Sequence, residues 1–269
     1  MRNYHGSWVL IPGPQGPPTR TTGPACRGAP PCYRKDDMSK ILFLMTGADH
    51  WTLADGTPHP TGYWADEAVI PYEKFKAEGH QVTVATPGGV RPPVDHASLS
   101  ARANGGPENA ERVKAVVSSA PEFQEPLDLD AVRLEDFDAL YVPGGHGPME
   151  DLAVDTAAGR ILRRALEAGL PTGIVCHGPA ALLAAVGDDG ANAYAGYRVT
   201  AFSNDEEQRA GNADKAQWLL EDRLTEAGLS VKTGEAYAPH VEIDRNLVTG
   251  QNPASAGPVA VELLKKLAG

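Results

Sequence analysis

The sequence predicts an α/β protein, a parallel-sheet α/β/α sandwich with a nucleophile at the carboxyl edge of the sheet. Three observations predict it. From residue 40 onward, short apolar runs alternate with segments of helical periodicity, the pattern of a parallel sheet covered on both faces. The stretch Thr172-Gly173-Ile174-Val175-Cys176-His177-Gly178-Pro179-Ala180-Ala181 passes from a buried-type strand through a tight turn into small residues, the layout of a nucleophile elbow. The chain has 269 residues, 42% of them hydrophobic and 22% charged, which suits one large core better than two small ones.

Taken in order, residues 1–37 hold seven Pro and five Gly, a composition that resists helix and sheet because donors are missing and chain entropy is high. A disordered extension is expected there. Met38-Ser39-Lys40 then reads as an ordinary protein start, so translation is expected to begin at Met38 and the folded domain to span 38–269. Strands are expected at 40–46, 81–86, 138–142, 172–175, 198–201 and 230–232, with a late pair near 240–249. Helices are expected at 65–78, 155–168, 178–186, 213–227 and 256–267, the last opening after Ser255 as N-cap. The segment 88–130, rich in Pro, Gly and charge with weak helical periodicity at 108–118, breaks the rhythm. A connection that long usually covers a site or forms a contact.

The formal charge of −11 argues against nucleic acid or an anionic membrane as partner. Nowhere does an uninterrupted apolar run approach the ~18 residues a membrane span requires, and the Trp8-Val9-Leu10-Ile11 patch is too short for a signal sequence. Cys26 and Cys32 lie in the leader and Cys176 stands alone in the body, so no disulfide framework is indicated. That usage suits a reducing, cytoplasmic setting.

Three segments carry chemistry. Cys176 sits where strand gives way to helix, and exposed N–H groups at a helix start favour a thiolate, so a lowered thiol pKa is expected; the alternative is a buried structural cysteine in a β-to-α turn. Leu140-Tyr141-Val142-Pro143-Gly144-Gly145-His146-Gly147 is a second strand ending in a flexible loop. Successive glycines can turn N–H groups toward an oxyanion, or simply make a tight turn. Glu67 opens a helix after Tyr63 and Trp64, where a carboxylate is usually dipole compensation and the aromatics default to packing.

Together and in this order the segments resemble the ThiJ/PfpI superfamily, whose fold is the flavodoxin-like one of class I glutamine amidotransferase domains. The resemblance runs from about residue 40 to the C-terminus. It is carried by TGYWADEAVIPY, VTVATPGG with VDHASL, YVPGGHG with MEDL, VCHGPAAL, VTAFSNDEEQ, WLLEDRL and LVTGQNPASA. It is closest to the branch of large heat-shock chaperones and glutathione-independent glyoxalases, also called D-lactate dehydratases. The resemblance implies Cys176 as nucleophile, His177 as its proton shuttle, Glu67 as the acid beside the sulfur, and Glu207, with Glu206 the less favoured neighbour, orienting His177. Gly144, Gly145, His146, Tyr63 and Trp64 would then line the oxyanion and substrate site. It implies a lyase acting on methylglyoxal-type 2-oxoaldehydes without a cofactor, in carbonyl-stress protection, and a homodimer. A carboxylate packed against a thiolate is unfavourable as two anions, so Glu67 should be protonated and donate to the Cys176 sulfur, lowering the thiol pKa.

Two other readings stay open at this level. His240-Val241-Glu242 has the spelling of the His-x-Glu pair of a class I glutaminase, although no acceptor domain is attached. A holdase chaperone or redox sensor, binding unfolded clients with Cys176 as an oxidation switch, is the other, and a protein deglycase or peptidase activity is traditional for the superfamily. No metal site is expected, since His50, His59, His96 and His146 lack a compact ligand spacing.

Overall fold

A computed structural model describes residues 38–268; the expected extension over 1–37, with Cys26 and Cys32, lies outside the described residues. The main sheet is built from β1 (Lys40–Leu44), β2 (Gln81–Thr86), β3 (Leu127–Asp128), β4 (Ala139–Val142), β5 (Thr172–Val175), β6 (Val241–Asp244) and β7 (Leu247–Gly250). Its spatial order is β6-β7-β5-β4-β1-β2-β3. Every pairing is parallel except β6 with β7. Parallel neighbours demand crossovers, and helices supply them on both faces: α1 (Ala65–Ala77), α2 (Pro107–Ser119), α3 (Thr156–Glu167), α4 (Asn204–Ala210), α5 (Leu220–Glu226) and α6 (Ala256–Leu267).

Side-chain alternation divides the core in two. Leu42, Leu44, Leu140, Val142 and Ile174 point to the face covered by α3 and α5, with Ile161, Leu162, Leu220 and Leu224 packed onto them. Ile41, Phe43, Tyr141 and Val175 point to the opposite face, under Ala68, Val69 and Phe75 of α1 and Val259 and Leu263 of α6. The central strands are therefore buried on both sides, which is why they read as continuous apolar runs.

Several expectations need correction. Residues 178–186 do not form an α-helix: Gly178–Ala184 is a 3-10 segment, opened by Pro179, which lacks an N–H. It is pressed against the sheet where a Cβ on Gly178 would lie 2.7 Å from the Val142 carbonyl oxygen. The expected helix at 213–227 is a short turn, Ala213–Lys215, followed by α5. The expected strands at 198–201 and 230–232 shrink to Arg198–Val199 and Ser230–Val231, which pair with each other in a separate two-stranded ribbon. Arg198 anchors that ribbon to β6 through Asp244, Glu242 and the Ile243 carbonyl. Within 88–130 the weak periodicity becomes the full helix α2, started by Pro107, whose missing N–H costs nothing at a first helical position. The sequence reading overlooked α4 and the hairpin of His50–Thr52 with Pro58–Pro60. For α4 a signal existed: Ser203-Asn204-Asp205-Glu206 is a capping box, and both its hydrogen bonds form.

Candidate active site

The site gathers where β4, β5 and β7 end and α1 begins. Cys176 follows β5 immediately and holds φ at 61°, the left-handed region that costs a non-glycine residue about 1–3 kcal/mol. Backbone bonds impose that turn: Cys176 N donates to the Gly250 carbonyl at 2.8 Å, and Phe202 N donates to the Cys176 carbonyl at 2.9 Å. The elbow is thus a strained residue clamped by two neighbouring segments.

Glu67 reaches the sulfur from α1. Pro71 stands one turn further along that helix and has no N–H, so the Glu67 carbonyl is not used within the helix. Tyr141 Oη of β4 donates to it instead at 2.8 Å, pinning the start of α1 to the sheet. The Glu67 carboxyl is wholly buried. Its Oε2 accepts the Gly144 N–H at 2.8 Å, Oε1 has no hydrogen-bond partner, and the carboxyl interacts with the Cys176 thiol. Burial, and then the neighbouring charge of Asp66, raise this carboxyl well above its ordinary range. Held protonated by burial, the carboxyl is able to act as a donor beside the sulfur. The fit is tight, since a Cβ on Gly144 would lie 2.6 Å from His177 N and 2.8 Å from both Cys176 Cβ and Glu67 Oε2.

His177 supplies the next link. Its Nδ1 is 3.3 Å from Cys176 Sγ, and its Nε2 is 2.7 Å from Glu207 Oε2. Glu207 is an ionised acceptor here: burial works against its charge, but the two imidazoles around it outweigh burial and hold the carboxyl well below its usual range. The Nε2–H tautomer follows, leaving Nδ1 free to accept a proton from sulfur. Burial, reinforced by His146, pulls the His177 pKa down, so the ring is a neutral base at pH 7. Glu206 plays no part in this relay. It accepts from Ser203 N, Ser203 Oγ, Gln251, Asn252 and Tyr237 N, and so ties α4 to the 233–240 loop.

The expected low thiol pKa does not hold. Burial pushes the Cys176 thiol well up, charge on Glu67 would push it further, and the Gly145 N–H that pulls the other way is outweighed. The helix-terminus argument also loses force because a 3-10 turn, not an α-helix, follows the elbow. Cys176 rests as a thiol whose proton must leave through His177.

The remaining expected residues divide. Gly145, at φ 90°, aims its N–H at the sulfur, and a Cβ there would meet the Gly62 carbonyl oxygen at 2.4 Å. His146 stacks on Trp51, with ring centroids 4.5 Å apart and 12° between planes, and its Nε2 is 3.0 Å from Glu207 Oε1. Trp64 N donates to the Gly144 carbonyl, and its buried Nε1 has no partner. The Tyr63 ring turns into the core beside Phe123, so Tyr63 contributes backbone to the glycine loop while its side chain packs. Trp51 and Phe202, whose ring centroid is 4.5 Å from that of His177 with 31° between planes, also line the site; Trp51 sits at no motif spacing, and Phe202 stands in the VTAFSNDEEQ segment with no role read for it. His240 is 3.3 Å from its own neighbour Glu242, whereas the imidazole on the sulfur is that of His177.

Residues 62–266 match the DJ-1/PfpI family. Glutamine amidotransferase-like class 1 domain-containing protein 1 of Bos taurus is 34% identical over 142 residues, 53% of this chain and 64% of that relative. The chain thus spans less than two thirds of that relative's length. The protein/nucleic acid deglycase HchA of Staphylococcus aureus (strain MSSA476) is 26% identical over 235 residues, covering 82% of this chain and 77% of that one. Among solved structures, the Francisella tularensis Rapid Encystment Protein 24 kDa superposes with TM-score 0.73 at 26% identity, covering 86% and 99% of the two chains. Glyoxalase III from Candida albicans superposes with TM-score 0.72 at 22% identity, covering 85% and 97%, a likeness of fold.

Proposed function

The chain belongs to the DJ-1/PfpI family, and from that membership we propose that it is a cysteine-dependent, glutathione-independent glyoxalase converting methylglyoxal-type 2-oxoaldehydes to 2-hydroxy acids such as D-lactate. The observation that carries the reading is the relay Sγ–Nδ1 at 3.3 Å and Nε2–Oε2 at 2.7 Å, with the buried Glu67 carboxyl also interacting with the thiol. A thiol nucleophile, a neutral base and a protonated acid are the groups an internal redox of an oxoaldehyde requires.

The thiol adds to the aldehyde carbon as its proton passes to His177 Nδ1, so ionisation and C–S bond formation proceed together and the raised thiol pKa is no obstacle. The oxyanion faces the Gly145 and His177 N–H groups and takes a proton to become a hemithioacetal. His177, neutral again, removes the C1 proton. The C1 hydroxyl proton passes to the C2 oxygen and the enediolate takes the C1 proton back at C2, leaving a thioester that water cleaves to hydroxy acid and free Cys176. Glu207 keeps His177 in the tautomer this shuttle needs.

The name of the staphylococcal relative supports a second reading, removal of early glycation adducts from proteins or nucleic acids. The two readings differ in substrate. Purified protein incubated with methylglyoxal and no added thiol should release lactate, and Cys176→Ala should release none. Undiminished turnover by Cys176→Ala refutes the mechanism. Repair of a glycated peptide without lactate formation from free methylglyoxal selects the deglycase.

A further inference from the structure

Among the described residues, three other than glycine hold a positive φ: Cys176, Tyr237 and Arg245. Cys176 is the elbow, and Arg245 opens the two-residue turn between β6 and β7, where a positive φ is ordinary. Tyr237, at φ 63°, is the third residue of a turn closed by Ala238 N donating to the Glu235 carbonyl, a place where a positive φ calls for Gly or Asn. A bulky residue keeps such a conformation only where its surroundings impose it. Glu206 imposes it here: its Oε1 accepts the Tyr237 N–H at 2.8 Å, and its main-chain carbonyl accepts the Tyr237 phenol at 3.1 Å. The loop is fastened on either side as well, by Gly234 N donating to Gln251 Oε1 and by Asn252 Nδ2 donating to the Ala238 carbonyl.

Tyr237 is also the one exposed aromatic side chain among the described residues, at 48%. Its ring centroid is 6.4 Å from that of Phe202, and the Phe202 ring is 4.5 Å from the His177 ring. An aromatic row thus runs from the catalytic imidazole out to solvent. The relay from sulfur to Glu207 uses neither Phe202 nor Tyr237. Because the N–H and the phenol of Tyr237 are both given to Glu206, what the residue offers a ligand is the apolar face of its ring.

We infer that Tyr237, beside Phe202 and held by Glu206, is a specificity-determining residue that binds the non-reacting substituent of the oxoaldehyde and favours an aromatic substituent over a methyl group. The inference rests on the glyoxalase reading and names the substrate class within it. A methyl group covers little of such a wall, whereas a phenyl ring has the area to stack on it. Contact with a group remote from the reacting carbons holds ground state and transition state alike, so it lowers KM and leaves kcat in place. Glu206 is then a positioning residue that acts through Tyr237, as its neighbour Glu207 acts through His177.

The test compares methylglyoxal, which gives lactate, with phenylglyoxal, which gives mandelate, on the full chain. The wild type should show the lower KM for phenylglyoxal. Tyr237→Ala should reduce the ratio of kcat/KM for phenylglyoxal to that for methylglyoxal by about 3–10-fold, through KM. Tyr237→Phe, which keeps the ring and the main-chain bond, should restore most of the ratio. Glu206→Ala, which removes the acceptor of the Tyr237 N–H, should lower the ratio in the same direction, circular dichroism showing each variant folded. A general loosening of the site would slow both substrates and leave the ratio where it was. In a second arm that needs no turnover, mandelate should protect Cys176 from iodoacetamide at lower concentration than lactate does, and Tyr237→Ala should remove the difference. The inference is overturned by an unchanged ratio in Tyr237→Ala, by a ratio that falls through kcat alone, or by equal protection of the wild type by mandelate and lactate. Protection that depends on Tyr237 in a protein that forms neither hydroxy acid upholds the aromatic wall and refutes the glyoxalase reading instead.

Discussion

Replacing Asp66 with Asn should stabilise the protein by an amount that grows with pH. Asp66 lies in the first turn of α1, where a carboxylate ordinarily gains from the helix dipole. Here burial dominates: its Oδ1 has no partner, and desolvation raises the pKa from 3.8 to about 7, backbone N–H groups and Arg112 opposing it only in part. A folded-state pKa above the unfolded one means that the folded chain binds the extra proton. Stability is therefore full below pH ~4, is lost as pH rises toward ~7, and stays lost above. A pKa raised that far corresponds to about 4 kcal/mol, a ceiling because Asp66 keeps some contact with solvent. Asn does not titrate. The unfolding free energy of Asp66→Asn minus that of wild type should thus rise by up to about 4 kcal/mol between about pH 4 and 8, near 1.4 kcal/mol per pH unit at its steepest. The neighbouring Asp66 charge is also the second cause of the raised Glu67 pKa, so its removal eases the burial of Glu67 and works in the same direction. Urea denaturation of both proteins at each pH measures the difference. A difference that stays constant with pH, or shrinks as pH rises, refutes the reasoning.

Glu207→Gln reverses the sign: its folded pKa is depressed, so its contribution is present above the unfolded value of about 4.3 and lost as pH falls. The variant should be less stable than wild type at pH 7, converge with it toward acid, and lose about 10²–10⁴-fold in turnover; equal melting temperatures at pH 7 would argue against an ionised Glu207. Because burial raises the Cys176 thiol pKa, its alkylation rate by iodoacetamide should keep climbing past about pH 8, whereas a plateau below about pH 7 would mark a pre-formed thiolate. His177→Ala should abolish turnover and His240→Ala should leave it within a few-fold, the opposite pattern being that of a glutaminase.

The central strands and the elbow were legible in the sequence because each is a local property. A doubly buried strand must be an unbroken apolar run, as in Ile41–Met45 and Ala139–Val142, and a close-packed turn must use small residues, as at Gly178. The ordered motifs likewise pointed to Cys176, His177, Glu67 and Glu207 before any distance was known. Short edge elements escaped: Arg198–Val199 is two residues long, and what orders it is Arg198 bonding to β6, more than forty residues away. The register at Glu206 and Glu207 also needed the folded chain, since adjacent residues on a helix point about 100° apart and only packing decides which carboxylate meets His177.

The same division holds at the sulfur. The amino-acid sequence by itself determined that a cysteine stands at the turn after a buried strand and what lies beside it along the chain. Its ionisation was decided by the tertiary structure, because pKa depends on burial and on charges brought together from α1, β4, α4 and the elbow. Local reasoning counted a helix terminus and expected a thiolate. The fold replaces that terminus with a 3-10 turn, removes water, and sets Glu67 against the sulfur, so Cys176 remains a thiol until His177 takes its proton. The convergence of His146 on Glu207 belongs to the same class of fact, since residues 61 positions apart meet only because their strands and helices end on one side of one sheet.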